Sequence, residues 1–160
     1  MEALRSRHPH YIDLAGVLVQ TPPEQGAGQA SFLLTLHSLI HVEQNGLEEL
    51  LAKHTLDSRE SIHSNAVEAL VRMGTLAAGQ ALLNQFTVAA APCQRWIARG
   101  LQRIRTVDLA DGIAQLRSQI SDPTLWLMLL VAEVRQFNLV SLPRIVADLE
   151  RVPEYASLLM

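Results

Sequence analysis

The sequence predicts an all-α protein made of about four stacked helix pairs. Three observations predict it. A pattern of apolar and small residues returns about every 31 residues. The chain is 49% hydrophobic but only 4% aromatic, so its core must be Leu, Ile, Val and Ala, a mixture that suits close-packed helices better than a sheet. The breaks in the pattern carry caps, prolines and glycines placed as helix punctuation.

The repeat is read by aligning Val42, Met73, Ile104 and Phe137, spaced by 31, 31 and 33. Three residues earlier stand Leu39, Leu70, Leu101 and Val134, and six earlier Leu36, Val67, Ala98 and Val131. Four earlier are Ser38, Ala69, Gly100 and Glu133, small in three of four. These positions share one helix face. Five past the anchor come Leu47, Ala78, Leu109 and Leu142, and nine past it Leu51, Leu82, Ile113 and Val146, the buried face of a second helix. Each unit is therefore helix, short turn, helix.

Taken in order, residues 1–28 are expected to form a capping helix carrying Leu4, Tyr11, Ile12, Leu14, Val17 and Leu18, followed by the linker-like PPEQGAG. Residues 29–160 hold the four repeats in what is predicted to be a single domain overall. In the first unit the turn is marked by Asn45-Gly46. Asp57-Ser58 is placed to cap the second unit's first helix, and Gly74-Thr75 falls in its turn. Pro92 opens the third unit, and Asp108 lies near its turn. Asp122-Pro123 sets a cap before a first-turn proline in the fourth, and Pro143 fits a first turn after Ser141. The apolar tail EYASLLM is expected to pack back onto the last unit.

The stretches AVEALVRMGTLAAGQALLNQF and IARGLQRIRTVDLADGIAQLRSQI resemble HEAT repeats, most closely the short variety first described in phycobilisome lyase subunits. The resemblance covers roughly residues 29–152 and implies an α-α superhelix, an α-solenoid. The signature of tetratricopeptide repeats is missing. The HEAT motif is apolar spacing plus small residues, without invariant chemistry, so it implies architecture rather than activity. Stacked units share a continuous core because one helix pair cannot bury both its faces.

Composition narrows the partners. The net charge of −3 argues against nucleic acid, whose binders need a concentrated basic surface. Charged residues are 18%, below the usual quarter, which leaves room for an apolar contact surface. The most apolar run, LWLMLLVAEV, is about half a bilayer's span, and the N-terminal stretch lacks the apolar core of a signal peptide, so a soluble protein is expected. The one cysteine, Cys93, excludes an internal disulfide and is compatible with a cytoplasmic location.

No nucleophile–base pair, phosphate loop or complete metal motif is visible, so neither catalytic residues nor a cofactor are predicted. His37 and His41 are four apart with Glu43 behind, and His8 or His10 could approach. Both columns are polar in nearly every unit, which reads as a solvated helix face rather than a metal site. Cys93, at a helix start, is expected to be a buried structural thiol, and His54 and His63 to be packing or capping residues. Arg95, Arg99 and Arg103 form a stripe beside Trp96 that can hold an anionic group or simply be solvated.

Two surfaces are candidate partner sites. The resemblance implies that the second helices line the concave face. Their outward positions are Glu49 and Lys53, Gln80 and Asn84, Asp111 and Gln115, and Arg144 and Asp148. The other is the first helix of unit four, TLWLMLLVAEV, apolar nearly all round. Trp126, Leu127 and Leu130 there must be covered by the tail or by a partner, which makes a homodimer through the fourth repeat one expectation. The expected function is a non-enzymatic protein–protein interaction module or adaptor. The alternative is an accessory or lyase-like subunit of an enzyme complex. A HEAT-like DNA-repair glycosylase is opposed by the net charge.

Overall fold

The computed structural model describes residues 27–39, 46–136 and 139–151. Among them are eight α-helices and no strand: α1 (Ala27–Leu39), α2 (Leu47–Lys53), α3 (Glu60–Met73), α4 (Leu76–Phe86), α5 (Ala91–Leu101), α6 (Ala110–Ser118), α7 (Pro123–Arg135) and α8 (Leu142–Arg151). Short 3-10 turns, His54–Leu56, Val107–Leu109 and Leu139–Ser141, follow α2 and precede α6 and α8. The expected capping helix, most of the linker, and the tail lie outside the described residues.

The helices alternate between two layers. In one, α1 packs on α3, α3 on α5, and α5 on α7; in the other, α2 packs on α4 and α4 on α6. Between the layers runs one core of Leu, Ile, Ala and a few aromatics, from Phe32 and Leu36 in α1 to Leu129 and Ala132 in α7. Small residues let neighbouring units close within each layer. A Cβ added to Gly100 would stand 2.7 Å from Val67 Cγ1, and one added to Gly79 would run into Leu109. The turns at Gly46 and Gly74 use positive φ, 83° and 64°, which glycine adopts without strain.

The punctuation is mostly where the sequence puts it. Asp122 accepts from the backbone N–H groups of Thr124 (2.8 Å) and Leu125 (3.0 Å), and Pro123 opens α7. Pro92 lies in the first turn of α5 and Pro143 in that of α8. Thr75 caps α4, accepting from Ala78 N at 3.0 Å. Asp57 does not cap α3, which begins three residues later, at Glu60. Its carboxylate instead accepts from the N–H and the guanidinium of Arg59, which hold it below the usual carboxylate range.

The fourth unit is shifted by one residue from the expected register. Leu142 and Val146, expected inside, are 46% and 51% exposed, whereas Ile145 is 5% exposed and Ser141 is buried. Gln136, not Phe137, is therefore the anchor. Three and six residues before it stand Glu133 and Leu130, both buried, and four before it Ala132, so the close-packed column is small in all four units. Gln136 itself is buried, although the expected register places it in a solvated column. Its Nε2 donates to the carbonyls of Leu101 (3.2 Å), Ile104 (3.0 Å) and Ala132 (2.9 Å), and its Oε1 accepts from Thr106 N at 2.8 Å. One amide thus ties α7 to the end of α5, where helical carbonyls lack partners.

Candidate functional site

The register shift decides where Glu133 and the candidate residues Arg144 and Asp148 point. Glu133 now falls in the column of Leu70 and Leu101, and Arg117 in that of Phe86, all core positions. Both are charged, 0% and 3% exposed, and they meet: Arg117 donates to Glu133 Oε2 from Nε (3.2 Å) and Nη2 (3.0 Å). Arg144 reaches in from α8 to the other oxygen, Nη2 to Oε1 at 2.6 Å, and also meets Asp111 at 3.3 Å. Asp148 pairs with Arg117 at 2.7 Å. The guanidinium of Arg117 lies 5.0 Å from the centre of the Trp126 ring. Hydrogen bonding to Glu133 raises the pKa of Arg144 further. With Asp148 included, two carboxylates face two guanidiniums, and each oxygen of Glu133 meets one of them, the match in charge and geometry that a buried ion requires.

Arg144 and Asp148, counted on an outward ridge in the expected register, thus join α6, α7 and α8 through ion pairs. The rest of the ridge is outward. Glu49, Lys53, Gln80, Asn84, Asp111 and Gln115 are all exposed. The structure brings three of them together: Gln80, Asn84 and Gln115 line a hollow of about 280 Å³ between α4 and α6, with Leu83 and Thr87. Gln80 donates to Asn84 at 3.4 Å, leaving amide groups open to a ligand. The ion pair of Asp111 lies in solvent, where such bridges are worth about 0–1 kcal/mol.

The apolar helix of unit four is α7. Trp126 and Leu130 are buried within the chain, packed with Ile145 of α8 and flanked by Ile120, Leu127 and Leu149. Among the described residues, helix α8 provides that cover. Val134 remains 46% exposed.

The arginine stripe divides. Arg103 makes a two-point contact with Glu68, which also pairs with Arg72 at 3.1 Å, and both arginines hold the carboxyl below its ordinary range. Arg99 lies over Trp96 at 5.1 Å, and Arg95 has no ion pair among the described residues. His37 is half-buried, its Nε2 2.6 Å from Asn65 Oδ1, so it bridges α1 and α3 rather than standing in solvent. His54 is buried edge-on to Phe32. His63 is buried, and since a carbonyl only accepts, its Nδ1 donates to Asp57 O at 2.8 Å. Cys93 is buried beside it, 3.6 Å from Nδ1, and burial pushes the thiol pKa up, opposite to what a reactive thiolate needs.

Among the described residues no three His, Cys, Asp or Glu side chains gather as a metal site would require. His8, His10, His41 and Glu43 lie outside them. No helix among the described residues is long and apolar enough to cross a membrane. Searches of family models, of curated proteins and of solved structures return no match to this chain.

Proposed function

We propose that the chain is a HEAT-like α-solenoid acting as a non-enzymatic protein–protein interaction module. The observation that carries this reading is the two-layer order of the helix pairs, in which like helices pack on like and the side chains of the second layer form an outward row. Such an array presents a long regular surface from a short sequence. The hollow between α4 and α6, lined by the amides of Gln80, Asn84 and Gln115, is the part of that surface best furnished for a polypeptide backbone. A reducing cytoplasm suits the single buried Cys93. Self-association through the fourth repeat would use the exposed Val134, Val140, Leu142 or Val146, because α8 covers Trp126 and Leu130.

The test is site-specific photo-crosslinking in the native cell. A benzophenone amino acid placed at Gln80 or at Gln115 should capture the same protein, and one at Gln119, on the rim of the same hollow, should capture it too. A band of twice the chain's mass would identify that protein as a second copy. Absence of any discrete adduct from all three positions would refute the module reading.

A further inference from the structure

A groove runs between α3 and α5 on the first-helix side, opposite the ridge. It has two adjoining hollows. One, of about 400 Å³, is lined by Pro92, Arg95, Trp96, Arg99, His63 and Glu60 among others. The next, of about 250 Å³, is lined by Trp96, Arg99, Arg103, Arg135, Glu68 and Gly100 among others. Trp96 and Arg99 belong to both, so the hollows form one track with an aromatic side chain in its middle. Four arginines line it against two carboxylates, in a chain whose net charge is −3. One of those carboxylates, Glu68, is already engaged by Arg72 and Arg103. Glu60 shares the first hollow with Arg95 and Arg99, but neither arginine forms an ion pair among the described residues, and Arg135 makes only a 3.4 Å bond to the Gln102 carbonyl.

We infer that this groove binds an extended acidic segment of a partner protein, with carboxylates at alternate positions. The spacing carries the inference. Arg95 and Arg99 are one helical turn apart, about 6 Å along α5. Side chains on the same side of an extended chain recur every two residues, about 6.6 Å. Carboxylates at i and i+2 therefore meet Arg95 and Arg99 in register, each able to take two hydrogen bonds from a planar guanidinium. The third, at i+4, reaches the end of α5, where Arg103 and Arg135 lie. The indole of Trp96 offers apolar surface to the methylenes between them. Two shallow hollows in line fit a chain better than one compact ligand. A polypeptide as the ligand rests on the interaction-module reading; the groove's charge and spacing do not.

The experiment is fluorescence polarisation with a labelled peptide of about eight residues alternating Glu and Thr, against one of the same composition with its Glu residues contiguous. The alternating peptide should bind, more weakly as salt rises, and about tenfold more tightly than the contiguous one. Arg95→Ala and Arg99→Ala, both at exposed positions, should each weaken it about tenfold with unchanged circular dichroism. Lys53→Ala, on the ridge, should leave it unchanged. No saturable binding, or equal binding by the arginine variants and the wild type, overturns the inference. Loss of binding in Lys53→Ala alone also overturns it, while leaving the module reading to the crosslinking result.

Discussion

Glu133 and Arg117 replace leucine-type core positions, and their energetics follow from that placement. A fully buried carboxylate is tolerated only while its guanidinium partners stay in contact. Glu133→Leu should leave the buried Arg117 with Asp148 as its remaining carboxylate partner and cost about 3 kcal/mol, read as a lower urea midpoint. Arg117→Met with Glu133→Leu should recover at least half of that loss, because neither charge then remains buried. Arg144 and Asp148 are partly exposed and can turn to water. A double variant that loses the sum of both single losses would show that the pair is not coupled. The sequence contains a signal for this cluster, but in the wrong phase. Val131, Val134 and Phe137 are spaced as plausibly as Leu130, Glu133 and Gln136, and an apolar anchor is the natural choice. Two quieter columns decide it: Ala132 completes the small column, and Arg135 joins Arg72 and Arg103 in the polar one. A core column with a charge in it is the cost of that phase and also the clue to the ion pairs.

At the level of the helices, caps and helix order were legible because they depend on local chemistry. Asp122 and Pro123 act within one turn of themselves, and they do so as expected. Asp57 fails as a cap because Arg59, two residues on, offers both a backbone and a side-chain donor. Contacts between helices were less legible, since the same glycine type serves different ends. A Cβ at Gly79 would strike Leu109, which is fully buried and has nowhere to move. A Cβ at Gly112 would stand 2.7 Å from Leu83 Cδ1, but Leu83 borders the α4–α6 hollow and can swing toward it. Alanine is the better helix former by about 1 kcal/mol at either site. Gly79→Ala should nonetheless lower thermal stability by about 1–3 kcal/mol, through overpacking. Gly112→Ala should be neutral or raise the melting temperature. Equal effects in the two variants, measured by calorimetry, would mean that the spacing between neighbouring units of that layer is set elsewhere.

In the molecule as a whole, stacking makes each unit depend on its neighbours more than on distant ones. The large core runs without a break from α1 to α7, whereas α8 attaches through a small separate cluster of Ile145 on Trp126 and Leu130, plus the ion pairs of Arg144 and Asp148. A lesion in that cluster should therefore release α8 while α3 to α5 keep their packing. Leu130→Glu places a carboxylate in a buried site against Ile145, at a cost of several kcal/mol in local stability. Amide hydrogen exchange should then quicken across α8 and the adjoining parts of α6 and α7, with little change in α3 and α5. Light scattering should give one chain's mass for the wild type, because the face that α7 would offer to a second copy is already covered. If the wild type is instead a dimer, and Leu130→Glu a folded monomer with α8 still protected, then Leu130 lies between subunits. Uniform loss of protection across all units would show that the chain unfolds as one cooperative body and that the fourth unit is not separable.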